Sequence, residues 1–509
     1  MLKCTINGKA LEVKPGTTIM EAMREAEQHI AHYCWHPGLS IAGVCRLCMV
    51  EIKGNPRPQI ACNTQITEGM EVNNTSPMVK DAVKWGLDFH LINHPLDCPI
   101  CDQAGECGLQ EQYMEYGKYT PEMAEAKVKK HKVVDLGPRV VLDSERCILC
   151  SRCVRFTDEV SKTHELGIFN RGDRAEIGTV AGKKLDNNYS VNTVDICPVG
   201  ALTSKDFRFK QRVWFLKEVT SVCNGCSTGC SIKLYYNKEG VFRVKPKENK
   251  AVNGFWMCDD GRDIYKYINK EHRLLDAKNA RGEFLVPEVA ARKVASELNA
   301  NKSGAALVLT GQYTLEEYDA IVGAFKNNLG SSQIYHWINN PNDLEKFDGI
   351  LNRGDKNPNT KGLGQILSKY GVQNSWTDLE KLLTEAKIDT LVVAAPENQA
   401  VYTDLQTKLA LFAKAKRLVW LSSTKTAAVE NLPSLSMQIP MKSFFEKNGS
   451  FVNYAGIEQK IRRGIDIVPG ALSLQTFAEI VKGQNPISEV QAPLSKMVHN
   501  EFTAHRGEL

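Results

Sequence analysis

The chain has 509 residues, too many for a single hydrophobic core, so we expect several domains. Its hydrophobic fraction of 42% is typical of a globular protein, and a net charge of only +5, without a basic run, disfavours a nucleic-acid partner. No apolar run reaches the roughly 20 residues of a membrane-spanning helix, and the N-terminus lacks the apolar stretch of a signal peptide. We therefore expect a cytoplasmic protein that reaches any membrane only through partners.

The cysteines carry the strongest signal. Of the 16 cysteines, all except Cys4 lie between Cys34 and Cys258, and none follows Cys258. A reducing cytoplasm disfavours disulfides, so these residues indicate metal binding or catalysis.

The first cysteine set follows a predicted hairpin and helix. Residues 2–13 alternate between apolar and polar around Asn7-Gly8, a hairpin turn pair, and Thr18 with Glu21 has the pattern of a capping box. This order resembles a plant-type ferredoxin with its β-grasp fold. The resemblance implies a 2Fe–2S cluster, although a zinc site is an alternative. Its ligands would be Cys34, Cys45, Cys48 and Cys62.

The second set contains a histidine and follows a helix that we predict over residues 81–93, with Trp85 and Phe89 on one face. The cysteines here are one ligand short of a 4Fe–4S cluster, and His94 can complete it; a structural or surface histidine is the alternative. The string HPLDCPICDQAGECGLQ, residues 94–110, resembles the histidine-ligated segment in the large iron–sulfur subunits of bacterial respiratory complex I. The predicted ligands are His94, Cys98, Cys101 and Cys107.

The third set opens like a bacterial ferredoxin. Its C-x2-C-x2-C run is closed by a remote cysteine that precedes Pro198, and Thr157 stands where a second cluster would take its cysteine. We therefore expect one 4Fe–4S cluster, with a zinc site as the weaker alternative. The predicted ligands are Cys147, Cys150, Cys153 and Cys197.

The fourth set resembles the 4Fe–4S domain of molybdopterin oxidoreductases such as formate dehydrogenases. Zinc is a stronger alternative here than at the other sets. The predicted ligands are Cys223, Cys226, Cys230 and Cys258. Only Cys4 then remains, on the apolar face of the first strand, where we predict an inert buried thiol.

From about residue 273 the pattern becomes α/β. Residues 305–309, 391–395 and 418–421 are apolar runs typical of buried parallel strands. Residues 444–459 resemble a late motif of molybdopterin oxidoreductases, but Ile457 replaces the arginine of that family. We expect a degenerate domain without molybdopterin, and no nucleotide site at Gly362-x-Gly364.

We therefore predict a multidomain chain of α+β and α/β folds. The expected order is a plant-ferredoxin-like β-grasp domain, a His/Cys 4Fe–4S segment, a bacterial-ferredoxin-like domain, a molybdopterin-oxidoreductase-type 4Fe–4S domain, a degenerate molybdopterin-oxidoreductase-like α/β domain and a C-terminal arm. Their predicted bounds are residues 1–78, 79–136, 137–215, 216–272, 273–482 and 483–509.

The resemblance to complex I implies an electron-relay subunit of a proton-translocating NADH:quinone oxidoreductase. It would carry one 2Fe–2S and three 4Fe–4S clusters, with no NADH, flavin or quinone site of its own. Implied partners are the other peripheral-arm subunits, including the flavin-bearing NADH-binding subunit and a ferredoxin-like subunit leading to quinone. The complex would place the chain on the inner face of the cell membrane.

Rival interpretations share the same modules. A formate dehydrogenase subunit would need a full molybdopterin domain and normally a cysteine or selenocysteine metal ligand after Cys258. An iron-only hydrogenase would need further cysteines for its active-site cluster, and none besides Cys4 is left over. A zinc-bound structural scaffold is the rival from a different functional class.

Overall fold

The computed structural model describes residues 1–118 and 126–485, together with the backbone of residues 496–497. The described chain forms two compact units, Met1–Leu216 (the N-terminal unit) and Lys217–Met497 (the C-terminal unit). The predicted arm over residues 483–509 lies almost entirely outside the described residues. Within the described ranges, no helix is both long enough and apolar enough to cross a membrane.

The N-terminal unit begins with the predicted hairpin and helix. Asn7 and Gly8 have φ values of 49° and 79°, as the tight turn requires, and Thr18 and Glu21 form the reciprocal capping box. Both local predictions are confirmed. The sheet order is β2-β1-β5-β3-β4, with α1 packed on it. The elements are β1 (Leu2–Ile6), β2 (Lys9–Val13), α1 (Ile19–Glu25), β3 (Met49–Ile52), β4 (Gln59–Ile60) and β5 (Met70–Asn73).

Two helices, α2 (Pro77–Leu91) and α3 (Gly108–Tyr116), flank the second cysteine set. Helix α2 begins four residues before the predicted start because Ser76 caps it and Pro77 occupies its first turn, two N-terminal signals. Its buried face consists of Val79, Val83 and Leu87, whereas the predicted aromatic face is exposed to solvent.

The third set lies among short elements. Strands β6, β7 and β10 form one small sheet, and β8 pairs with β9 in a hairpin. The elements are β6 (Val134–Asp135), β7 (Val140–Leu142), α4 (Arg152–Glu159), β8 (Leu166–Phe169), β9 (Glu176–Thr179), α5 (Asn192–Asp195) and β10 (Leu202–Ser204).

The C-terminal unit opens with an antiparallel sheet that carries the fourth set. Its strands are β11 (Lys217–Val222), β12 (Ser231–Asn237) and β13 (Gly240–Pro246), and the short helix α6 (Asp259–Arg262) follows.

A seven-stranded sheet follows, in the order β15-β14-β20-β19-β18-β16-β17. The three predicted strands are confirmed as β16, β18 and β19, which pair in parallel. Alternate residues of these strands face two separate apolar cores, as expected for a sheet covered on both faces. The strands are β14 (Ala277–Asn279), β15 (Phe284–Leu285), β16 (Ala305–Leu309), β17 (Ile334–His336), β18 (Thr390–Ala394), β19 (Arg417–Ser422) and β20 (Leu435–Pro440).

Helices and a hairpin complete this unit. The helices are α7 (Pro287–Ala300), α8 (Leu315–Gly323), α9 (Thr360–Lys369), α10 (Trp376–Thr384), α11 (Leu405–Phe412), α12 (Ala427–Glu430) and α13 (Leu474–Val481). Strands β21 (Gly449–Val452) and β22 (Glu458–Ile461) form the hairpin, and β23 (Lys496–Met497) pairs beside β11. The fold is thus a multidomain mixture of α+β and α/β parts, as predicted.

Candidate iron–sulfur sites

The first set lies between α1 and β5, and all four thiols are buried. They interact in two pairs. A hydrogen bond with Cys45 lowers the pKa of Cys34 to about 5, and a hydrogen bond with Cys48 lowers the pKa of Cys62. A two-iron cluster takes two protein ligands on each iron, so this paired arrangement fits a 2Fe–2S group.

The thiol left over by the sequence, Cys4, lies elsewhere in the same β-grasp domain. It is buried in β1, opposite Leu11 and beside Met70 of the parallel strand β5. Burial raises the pKa of Cys4, so the thiol stays protonated at neutral pH. It behaves as a small apolar core residue.

The second set occupies the loop between α2 and α3. Burial raises the pKa of Cys107 to about 12 and lowers the pKa of His94 to about 4, which keeps the imidazole neutral as a metal ligand must be. His94 Nδ1 is buried without a hydrogen-bond partner. The three thiols act on one another, whereas the charges acting on His94 are those of Arg146, Lys127 and Asp97. Three mutually interacting thiols and a buried ring nitrogen without a partner on the same loop fit a 4Fe–4S group.

The third set lines one apolar cavity. Burial raises the pKa of Cys147 to about 12 and of Cys150 to about 11, so the free thiols are neutral and metal binding has to release their protons. The cavity is enclosed by Leu142, Cys147, Ile148, Cys150, Ser151, Arg152, Cys153, Ile177, Cys197, Val199, Ala201 and Leu202. Four thiols around an apolar cavity fit a 4Fe–4S group.

The second and third sets are in direct contact through the Pro198–Gly200 loop. The Gly108 amide, next to Cys107, donates to the Pro198 carbonyl at 2.8 Å. A Cβ atom added at Gly200 would overlap Cys101 Sγ, so this position requires glycine. The loop that begins at Cys197, a candidate ligand of the third set, therefore also forms a wall of the second set.

Two arginines that sequence reasoning missed join the first and third sets. Arg152 Nη2 donates to the Trp35 carbonyl at 2.5 Å, and Arg155 Nη2 donates to the Cys34 carbonyl. Both arginines flank Cys153 in the string SRCVR, residues 151–155. Two arginines on either side of a candidate ligand were the signal in the sequence from which this role could have been predicted.

The fourth set, in the C-terminal unit, is tightly enclosed. The Cys223 amide donates to the Cys230 carbonyl at 2.8 Å, and the Gly261 amide donates to Cys258 Sγ at 3.3 Å. A Cβ atom added at Gly225 or Gly261 would lie 3.4 Å or 3.2 Å from Cys223 Sγ. Burial raises the pKa of Cys223 to about 12. Here too the four thiols act on one another, and two glycines let the backbone approach them closely, which fits a 4Fe–4S group.

The segment that resembles a molybdopterin-oxidoreductase motif packs on this cysteine loop. Tyr454 N–H donates to the Ser227 carbonyl at 2.9 Å, and Gln459 Nε2 donates to the Gly229 carbonyl at 2.7 Å. Ile457, which replaces the arginine of that motif, donates its amide to Asn453 Oδ1 at 2.9 Å. In this chain the hairpin therefore supports the fourth set.

Within the described ranges, no three His, Cys, Asp or Glu side chains converge on a point where a single metal ion could bind. The ligands of an iron–sulfur cluster bind different irons, so they surround a group of atoms rather than one ion.

Family models match four segments of the chain. They are the 2Fe-2S iron-sulfur cluster binding domain (residues 1–77), the NADH-ubiquinone oxidoreductase-G iron-sulfur binding region (86–121), the ferredoxin-like domain of NADH-quinone oxidoreductase subunit 3 (137–203) and the molybdopterin oxidoreductase Fe4S4 domain (216–270).

Similar proteins carry related names. The G subunit of the NADH-quinone oxidoreductase of Rickettsia conorii is 35% identical over 65% of this chain and 50% of its own length. The mitochondrial NADH dehydrogenase [ubiquinone] iron-sulfur protein 1 of Solanum tuberosum is 40% identical over 56% of this chain and 38% of its own length. A solved chain of an NAD+-reducing NiFe hydrogenase is 30% identical over 42% of this chain and 91% of its own, with a TM-score of 0.38.

The chain thus spans about half the length, or less, of these curated relatives. The four family models match successive segments of the chain, and the named relatives are NADH-quinone oxidoreductase subunits G or their mitochondrial counterparts. This chain is a homologue of the G subunits of the NADH-quinone oxidoreductases.

Proposed function

We propose that the chain is an iron–sulfur electron relay of an NADH:quinone oxidoreductase, complex I. The first set would hold one 2Fe–2S cluster and each of the other sets one 4Fe–4S cluster, with His94 as the non-cysteine ligand. No NADH, flavin, quinone or molybdopterin site is expected on this chain. The names of the relatives and the four matching iron–sulfur modules support this proposal.

One observation in particular supports the proposed electron relay. A single hydrophobic core of the N-terminal unit contains cysteines from the first three sets: Cys34, Cys45, Cys107 and Cys153 are in it, and Cys147, Cys150 and Cys197 pack against it. Electron tunnelling falls steeply with distance, so redox groups that serve a relay must be close together. A shared core provides that closeness and keeps water out.

The residues around the sets would control the relay. When bound, the clusters supply one-electron reduction and reoxidation. The cysteines fix their positions, and the neutral His94 leaves the second site less negative than a fourth thiolate would. That difference would raise the reduction potential of a cluster at the second site relative to the same cluster with four thiolates.

Partners would supply and remove the electrons. A flavin-bearing NADH-binding subunit would donate them, and a ferredoxin-like subunit leading to quinone would accept them. The assembled complex would hold the chain on the inner face of the cell membrane.

The fourth set would serve the structure of the C-terminal unit and not the relay. The hairpin β21–β22 covers its cysteine loop, and Ile457 stands where the molybdopterin-oxidoreductase motif usually has arginine. A cluster with no redox partner behind it cannot lie on a through-path, but its ligands still close a long loop.

The test begins with the purified full chain under anaerobic conditions. We expect about 14 irons per chain and as many sulfides, together with EPR signals of one 2Fe–2S and several 4Fe–4S clusters. Stoichiometric zinc with little iron would overturn the proposal, and one molybdenum per chain would favour the formate dehydrogenase alternative.

The second step measures turnover from NADH to quinone in the assembled complex. Cys150→Ser should abolish it, because Cys150 belongs to the relay. Cys226→Ser should lower the yield of complex yet leave turnover per assembled complex nearly unchanged. If Cys226→Ser removed most of the turnover while the other clusters stayed intact, the fourth set would belong to the relay after all.

A further inference from the structure

Arg152 lies between two ligand sets and contacts the backbone next to a ligand of each. It is the first residue of α4, between Cys150 and Cys153. Its Nη1 donates to the Ile196 carbonyl at 3.0 Å, and its Nη2 donates to the Trp35 carbonyl at 2.5 Å. Ile196 immediately precedes Cys197 of the third set, and Trp35 immediately follows Cys34 of the first. The planar guanidinium therefore links the two ligand loops, using donors that point in fixed directions.

The positive charge of Arg152 interacts mainly with the thiols of candidate ligands. The largest charge interactions of Arg152 are with cysteines of both sets, namely Cys150, Cys197, Cys45 and Cys34, and it also acts on the neighbouring His32 and His36. Its Nε is buried without a hydrogen-bond partner. The Arg152 side chain is partly buried, and a cation withdrawn from water is costly unless a negative charge compensates it. Thiolate-bound iron–sulfur clusters carry that negative charge, so they are the counter-charge that this position requires.

Arg146, beside the second set, shows the contrasting arrangement. Its guanidinium pairs with Asp97 at 3.2 Å and with Asp143 at 3.2 Å. Two carboxylates neutralise its charge locally. The field that Arg146 exerts on the neighbouring thiols is therefore weakened, whereas the field of Arg152 is not.

We propose that Arg152 is a positioning residue shared by the first and third sets, which locks their loops together and raises the reduction potentials of both clusters in step. This inference rests on the proposed relay and adds a specific residue to it. A fixed positive charge stabilises the state of each cluster that holds the additional electron. Because the charge lies between the two sets, it acts on both with the same sign. Both clusters are then kept reducible.

The experiment is an EPR-monitored redox titration of the full chain, purified anaerobically. Arg152→Met removes the charge and keeps a side chain of similar reach. We expect the equilibrium constant for reduction of each of the two clusters to fall about tenfold, which is 59 mV for a one-electron couple. Arg152→Lys keeps the charge and should recover most of both shifts. The matched control is Arg174→Met, which removes an exposed arginine and should move neither potential.

The outcomes separate this inference from the proposed function. Absence of iron–sulfur signals in the unmodified chain would defeat the proposed function itself. Normal signals with potentials unchanged in Arg152→Met, or a shift confined to one cluster, would overturn only the role of Arg152. Equal shifts in Arg152→Met and Arg152→Lys would also overturn it, because charge would then not be the cause. If Arg152→Met failed to assemble its clusters, Arg152→Gln would be measured against the same criteria.

Discussion

The N-terminal unit and the seven-stranded sheet of the C-terminal unit are built in different ways. Every residue of β16 and β18 is buried, and the sheet separates two apolar cores that no ligand needs to complete. The N-terminal unit has strands of two to five residues, and cysteines form part of its cores. Apolar burial alone is sufficient for the sheet, whereas the N-terminal unit has little regular structure, and we expect it to gain much of its stability from bound metal.

The backbone conformation of the candidate ligand loops also distinguishes the N-terminal unit. Arg46, Leu149 and Ser151 lie inside ligand loops and have φ values of 55°, 55° and 60°. This left-handed region costs roughly 1–2 kcal/mol for each residue that has a Cβ atom. We expect bonds of their cysteines to iron to hold such loops in place, so that the loops relax when iron is removed.

Removal of iron should therefore produce the largest effect and should separate the two regions. Chelation under reducing conditions should expose most amides of the N-terminal unit, while β16, β18 and β19 keep their protection. Hydrogen exchange read by mass spectrometry measures both regions in one sample. Equal loss of protection in the sheet would show that it also depends on iron, and the comparison would fail.

A second variant tests the sheet region through a buried charge rather than a metal. Lys447 Nζ lies 2.9 Å from Glu317 Oε2 and 3.3 Å from Glu397 Oε1, and all three side chains are buried. Burial favours the neutral amine, but the two carboxylates outweigh it and raise the pKa of Lys447. Lys447→Met would leave two carboxylates unpaired in the interior. We expect a loss of about 3–5 kcal/mol in the free energy of unfolding.

Chemical denaturation measures this loss, with the fluorescence of the buried Trp337 and Trp420 as the signal. The matched control is Lys369→Met, which removes an exposed lysine paired with Asp319 and should leave the denaturation midpoint unchanged. The triple variant with Glu317→Gln and Glu397→Gln should recover much of the lost stability. If Lys447→Met matched the control, the buried ion pairs would contribute nothing to this region.

The features that were predicted correctly from the sequence are those that depend on residues close together in the chain. The turn at Asn7-Gly8, the capping box at Thr18 and the central parallel strands each depend on residues close together in the chain. The start of α2 was missed because the signal of Ser76-Pro77 was outweighed by the apolar pattern that follows.

Contacts between distant residues could not be predicted in this way. Gly200 lies against Cys101, and Arg152 reaches Trp35, across long stretches of chain. No local pattern encodes such a pairing, since it depends on how separate loops pack. Cysteine spacing could group the candidate ligands into sets, but it could not indicate which sets share a core.

The smallest expected effect concerns Cys4. This cysteine belongs to the N-terminal unit, but it packs as an apolar core residue, as the residues of the seven-stranded sheet do. It shares one apolar core with Cys48 of the first set, and both thiols are buried. Cys4→Ser places a hydroxyl among apolar side chains and should lower the free energy of unfolding by about 1–2 kcal/mol. Because Cys4 is not a proposed ligand, every EPR signal should persist. Cys48→Ser, the matched control from the same core, should abolish the 2Fe–2S signal. Loss of any cluster signal in Cys4→Ser would show that Cys4 is a ligand, and the division between ligand thiols and core thiols would have to be redrawn.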